Sequence, residues 1–162
     1  MTDTNDTTPK PFDMAAAMAR YHESRAVYER RSESVHPANK KALFDALAAA
    51  KITRVVVTFD GYGDSGQVED ISALSGDAAA VLPKGEITIS RATWGLDEIT
   101  ESTMSVEEAV EQLAYDFLSE THGGWENNDG AYGEFTFDVA KGTITLDYNE
   151  RYTATETYEH IF

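Results

Sequence analysis

Two glycine-rich stretches hold most of the side chains whose types and spacing could do chemistry. The first is Asp60-Gly-Tyr-Gly-Asp-Ser-Gly-Gln-Val-Glu-Asp70. Glycine admits the backbone conformations that let carboxylates converge. Asp60, Asp64, Glu69 and Asp70 are oxygen ligands of the kind calcium or magnesium takes. The spacing is not that of an EF-hand, because the sixth position is Ser65 and the twelfth is Ile71. The plainer reading is a hairpin loop whose aspartates bond their own backbone.

The second stretch is His122-Gly-Gly-Trp-Glu-Asn-Asn-Asp-Gly-Ala-Tyr-Gly133. His122 and Glu126 suit acid–base or metal work, and Asp129 adds a carboxylate. Trp125 and Tyr132 offer faces for stacking a ligand ring. The plainer reading is a helix C-cap at Gly123-Gly124, a tryptophan over the core and an Asn-Asp-Gly turn. Neither stretch carries a nucleophile–base pattern, and no catalytic residue is assigned. Gly63-Asp-Ser-Gly66 matches the string around a serine-protease nucleophile. The four histidines (His22, His36, His122, His160) lie in contexts unlike a triad, and the chain is too short for two β-barrels.

The elements that must hold these stretches follow from periodicity. Residues 12–35 read as a helix with Met14, Met18, Tyr21, Arg25, Tyr28, Ser32 and Val35 in a 4-3-4-3 stripe. Arg25 and Ser32 interrupt that stripe, which suits a core edge or a partner. His36-Pro37 reads as a break, followed by a second helix to about Lys51. Residues 52–59 are β-branched and aromatic, and read as a strand. Residues 60–66 read as a loop, 67–74 as an antiparallel strand and 86–90 as a third strand. Ser105-Val-Glu-Glu108 fits a capping box. Val106, Ala109, Val110, Leu113, Ala114, Phe117 and Leu118 then mark an amphipathic helix. Phe135, Phe137 and Val139 alternate with polar residues, as do Ile144, Leu146 and Tyr148, which predicts a hairpin turning at Lys141-Gly142.

The expected fold is α+β: an antiparallel sheet of about five strands with helices packed on one face, in the order ααβββαββ. The expected organisation is a disordered tail over 1–11, a helical segment over 12–51 and an α+β body over 52–162, all one domain. Both glycine-rich stretches border strands of that sheet, so they could meet at one end of it.

Taken together, Phe59-Asp-Gly-Tyr-Gly-Asp-Ser-Gly-Gln67, residues 122–134 and Tyr148-Asn-Glu-Arg-Tyr152 resemble an uncharacterised bacterial family of acidic proteins. Its members are found on plasmids, phages and other mobile elements. The resemblance covers about residues 42–162. It implies that the two loops belong together, and it supplies no reaction.

Charge narrows the function classes. The 162 residues hold 13 Lys+Arg against 29 Asp+Glu, a formal net charge of −16. Residues 1–54 are near neutral at +2, and residues 55–162 carry −18. Such a body repels nucleic acid and anionic membrane, so direct binding to either is not expected. There is no cysteine, which excludes disulfide and thiolate chemistry. No stretch approaches 18 consecutive apolar residues and the first 30 residues show no signal-peptide core, so no membrane span is expected and a cytoplasmic location is.

A basic protein partner is the expectation that fits best, met through the outer face of the second helix (Glu107, Glu108, Glu111) and the wet face of the sheet (Glu134, Asp138, Asp147). This makes a non-enzymatic interaction protein, with an inhibitor or DNA mimic aimed at a host-defence protein as one form. The alternative is a metal-dependent hydrolytic or ligand-binding protein using the two loops. Arg20, Arg30, Arg31, Lys40 and Lys41 are candidates for a basic face. Residues 12–35 are a candidate contact for a homo-oligomer.

Overall fold

The computed structural model describes residues 9–162. The expected disorder of residues 1–8 lies outside the described residues. The chain runs α1 (Met14–Ala49), β1 (Arg54–Tyr62), β2 (Ser65–Ser75), β3 (Ala78–Ala80), β4 (Glu86–Ala92), β5 (Ile99–Ser105), α2 (Val106–Thr121), β6 (Ala131–Asp138) and β7 (Thr143–Glu150). The α+β class stands: among the described residues, an antiparallel five-stranded sheet, ordered β3-β2-β1-β6-β7, with two helices. β4 and β5 form a separate two-stranded sheet, so the strand expected at 86–90 is not a member of the main sheet.

Alternation puts one face of the sheet in the core. Val55, Val57 and Phe59 of β1 line up with Phe137, Phe135 and Gly133 of β6, and with Ala73, Ile71 and Val68 of β2. A bulge between Thr58 and Phe59 leaves Glu69 as the extra residue on β2. The covering layer is the apolar stripe of α2, from Val106 to Leu118, with Leu43, Phe44 and Leu47 of α1. Ile89 of β4 is fully buried in the same core. The capping box at Ser105 forms as its sequence predicts: Glu108 N–H donates to Ser105 Oγ, and Ser105 N–H donates to the Glu108 carboxylate.

The expected break at His36-Pro37 does not occur. α1 is one helix of 36 residues with Pro37 inside it. Proline cannot donate to the Glu33 carbonyl, so local chemistry favours a break there. Packing on both sides of the proline outweighs it. Beyond Pro37, Asn39, Leu43, Phe44 and Leu47 are buried. Before it, Ser32 Oγ donates to Glu120 and Tyr28 packs edge-on against Trp94. Buried residues of α1 begin only at Val35, so Met14 to Ser34 is carried outside the core.

Asn39 is the single buried polar residue among those described. Its amide copies a strand pairing. Nδ2 donates to the Ser90 carbonyl and Oδ1 accepts from the Ser90 N–H, both at 2.8 Å. This satisfies the free edge of β4 and fixes α1 on it.

Candidate functional site

The two glycine-rich stretches meet. Residues 60–66, expected as a loop, are mostly strand. β1 runs to Tyr62, β2 starts at Ser65, and only Gly63 and Asp64 turn between them, at φ 58° and 64°. Positive φ at both central residues gives the tight hairpin turn whose twist suits the strands. From the second stretch, His122 N–H closes α2 by donating to the Leu118 carbonyl. The backbone then reaches back to the hairpin. Gly63 N–H donates to the Asn128 carbonyl at 2.9 Å, and Asp64 N–H donates to the Glu126 carbonyl at 3.0 Å. Asn128 N–H completes the set by donating to Asp64 Oδ1 at 3.3 Å.

Trp125 is the plug of this corner. It is buried and meets Phe59 edge-on with centroids 5.5 Å apart. Its ring lies so close over Gly61 and Gly66 that a Cβ at either would stand 2.6 or 2.3 Å from it. Gly130 comes closer still to the β1 backbone: a Cβ there would lie 1.7 Å from the Gly61 carbonyl oxygen. These glycines are spaces that other atoms fill.

Arg151, from the Tyr-Asn-Glu-Arg-Tyr segment, ties the corner together. Its guanidinium donates to Asp60 Oδ1 at 2.8 Å and to the Gly61 carbonyl, and stacks 4.6 Å over Tyr132. Its N–H donates to the Gly130 carbonyl. Thr153 Oγ1 donates to Asp129. The structure thus brings Asp60, Asp64, Trp125, Glu126 and Asp129 to one corner, most of them already bonded within the chain.

Glu69 and Asp70 lie farther along β2. They are exposed and bonded to Gln67 and Ser72. His122 stacks flat on Tyr148, with centroids 3.6 Å apart and planes 4° apart. Burial, with the Glu150 and Glu126 charges, pushes the Tyr148 hydroxyl above its ordinary pKa. Glu126 Oε2 is buried without a hydrogen-bond partner. Among the described residues, no group of three or more His, Asp or Glu side chains converges as a metal set would.

The interaction-face candidates divide. Glu107 is exposed, Glu108 is engaged in the α2 cap, and Glu111 is half-buried. Asp138 is drawn into the β6–β7 turn, where it accepts from Lys141 N–H. Glu134 and Asp147 stand on the open sheet face. The register places Asp70, Thr58, Glu134 and Asp147 side by side across β2, β1, β6 and β7. Glu134 and Asp147 are directly opposed, and neither takes part in an ion pair among the described residues.

The basic candidates do not form one face. Arg20 and Arg30 are exposed. Arg31 donates to the Leu96 carbonyl, Lys40 lies 5.7 Å over the Phe44 ring, and Lys41 pairs with Asp45.

A second polar cluster was not anticipated. Glu120, near the end of α2, receives Ser32 Oγ at 2.7 Å and His36 Nε2 at 2.8 Å. Asp116, one turn earlier, receives Arg91 at 3.0 Å and Gln112 at 2.9 Å. The cluster borders an open cleft of about 640 Å³ walled by Tyr21, Tyr28 and Trp94. The only sequence signal was the polar interruption of the α1 stripe at Arg25 and Ser32.

Burial pushes the Asp116 carboxyl above its ordinary range, and Arg91 and Gln112 offset part of that. The folded state therefore holds this proton more tightly than the unfolded chain. Its contribution to stability falls as pH rises from about 4, the ordinary aspartate value, through the raised folded value. Asp116→Asn is expected to flatten that fall, read as urea midpoints at a series of pH values. An unchanged pH profile would contradict it.

Residues 35–162 match the model of a family of unknown function (DUF6878). No curated protein and no solved structure matches the chain. The match begins where burial on α1 begins, at Val35. Among the described residues, no helix is long and apolar enough to cross a membrane.

Proposed function

We propose that this chain, which belongs to a family of unknown function (DUF6878), is a non-enzymatic interaction protein that presents carboxylates to a basic protein surface. The finer form of this reading is a cytoplasmic modulator encoded by a mobile element. It would occupy the nucleic-acid site of a host defence or replication protein by offering that site a substitute for phosphate charge.

One observation carries the proposal. Glu134 and Asp147 face each other across β6 and β7, in line with Asp70 on the uncovered sheet face. Like charges directly opposed on neighbouring strands cost stability. A sheet that only needed solubility would alternate the signs. The expensive arrangement supports a role for the band itself. The residues that sequence marks for chemistry support the reading from the other side. Trp125 is consumed in packing, and Asp60, Asp64 and Asp129 in bonds within the chain. The metal-dependent alternative, with calcium or magnesium as the candidate ion, has less support, because the carboxylates at this corner are mostly bonded within the chain and, among the described residues, no three donors converge as a metal set would.

The double variant Glu134→Gln, Asp147→Asn tests this. It is expected to be more stable than the native chain by about 0.5 kcal/mol, the scale of one cross-strand pair. Immobilised on a support, it is expected to lose partners that the native chain retains at low salt and releases at high salt. Equal retention by both chains, or no partner at either salt, would overturn the reading.

A further inference from the structure

The cleft of about 640 Å³ between the outer half of α1, the end of α2 and the tip of the β4–β5 hairpin shares no residue with the acidic sheet face. Its size is that of a small-molecule site, about 300–1,000 Å³. Three aromatic rings wall it. Trp94 stands at 71° to Tyr28 and at 50° to Tyr21, with centroids 5.4 and 5.9 Å away. The rings therefore form a corner rather than a stack. Tyr21 and Trp94 are each 48% exposed, so ring surface remains open. Among the described residues, cations stack on Phe44 and Tyr132, but on none of these three rings.

We propose that this cleft binds a small organic cation with a methylated ammonium head, seated against the Tyr21, Tyr28 and Trp94 rings.

The lining charge selects a cation. Glu29, Glu33 and Glu120 border the cleft against a single guanidinium, Arg25, which Glu29 already pairs at 2.8 Å. Arg31 lines the neighbouring groove instead, where it donates to the Leu96 carbonyl and meets Asp97. His36 meets Glu120 from a smaller adjoining recess. Each ring adds the negative face of its quadrupole, and walls of this kind attract quaternary ammonium groups. An anion would be repelled by the carboxylates and the ring faces alike.

The bonds of the carboxylates select a methylated head. Glu120 has both oxygens engaged, by Ser32 and His36, and Glu29 Oε1 accepts from Arg25. A primary ammonium is strongly hydrated and needs oxygen acceptors in place of its water. A methylated ammonium spreads its charge over its methyl groups, so ring faces and one nearby carboxylate suffice. Glu33 is that carboxylate; among the described residues it takes part in no ion pair. The same rim disfavours a head followed by a phosphate or carboxylate, because the second group would lie on like charge.

The test titrates the full chain and follows the α1 amides and the two indole N–H signals by nuclear magnetic resonance. The probes are choline, ethanolamine, phosphocholine and 3,3-dimethyl-1-butanol, the uncharged carbon counterpart of choline. Choline is expected to shift the Trp94 indole saturably, to leave that of Trp125 in place, and to bind about tenfold more tightly than each of the others. Trp94→Leu is expected to weaken choline about tenfold and Glu33→Gln about threefold, each checked for the native urea midpoint. If Trp94→Leu moves that midpoint, Tyr21→Leu replaces it with the same expected loss. Glu107→Gln, on α2 outside the cleft, is expected to change nothing. Trimethyllysine in a short peptide, the same head on a protein side chain, is expected to bind no more tightly than choline. Choline without a saturable shift at Trp94 overturns the proposal. So does equal binding of ethanolamine or of the uncharged counterpart, which would mean that charge alone or apolar filling alone is read. Phosphocholine as tight as choline, trimethyllysine tighter than choline, or a loss in Glu107→Gln equal to that in Glu33→Gln likewise overturns it.

Discussion

Gly130→Ala is expected to destabilise the fold by about 4 kcal/mol, a loss near the limit that one residue usually causes. Two costs combine. Gly130 has φ 76°, a conformation in which an alanine pays about 1–2 kcal/mol. Its Cβ would also stand 1.7 Å from the Gly61 carbonyl oxygen and 2.8 Å from the Tyr62 Cα. Both are backbone atoms, so no flexible side chain can yield, and overpacking of this kind adds about 1–3 kcal/mol. Relief requires the 122–130 segment to lift off the hairpin. That would strain the Gly63–Asn128 and Asp64–Glu126 bonds and the Arg151 bond to Gly130.

Gly142→Ala is the control. Its φ is 64°, but nothing lies within 4 Å of the added Cβ, so only the conformational cost of about 1 kcal/mol is expected. With a urea slope of about 2 kcal/mol/M, the two variants should differ in midpoint by more than about 1 M. Equal midpoints would show that the close approach of the two loops does not constrain the native state.

That experiment bears on what a sequence discloses. The three glycines at 61, 63 and 66 read as a loop because glycine punctuates chains. Only Gly63 earns that reading, through its positive φ. Gly61 and Gly66 sit in paired strands, and their reason is Trp125, about sixty residues away. A local signal cannot report a contact at that separation. The α2 stripe and the β6–β7 alternation were legible because each element buries one face against a continuous core, so the pattern is complete within the element. β5 was not legible. Its sequence Ile-Thr-Glu-Ser-Thr-Met-Ser is exposed for five residues, and it pairs only with β4. A two-stranded ribbon with little buried face leaves little period to read. The site divides in the same way. The meeting of the two stretches was anticipated as a matter of topology. The Ser32–His36–Glu120 cluster was not, because it is assembled from two helices that no local period relates.

The opposite sign of effect is expected at Pro37. Pro37→Ala should stabilise the chain by about 2 kcal/mol, the sum of two opposed terms. Removing an interior proline restores the N–H that donates to the carbonyl four residues back, and relieves the ring's clash there, together about 3 kcal/mol. Alanine also frees the unfolded chain, which returns about 0.4–1 kcal/mol. Pro37 is exposed, so losing its ring opens no cavity to offset the gain. In a chain of this size the melting temperature should rise by about 4–8 °C. The gain should also be local. Without the Pro37 donor, the outer half of α1 is tied to the packed half through a helix with a missing bond. Its other ties are contacts such as Tyr28 on Trp94 and Ser32 on Glu120. Restoring the bond should slow hydrogen exchange along residues 20–34 more than along α2. Equal slowing in both helices would mean that α1 already opens as one unit. A fall in stability would mean that the proline ring makes a contact worth more than the hydrogen bond it removes.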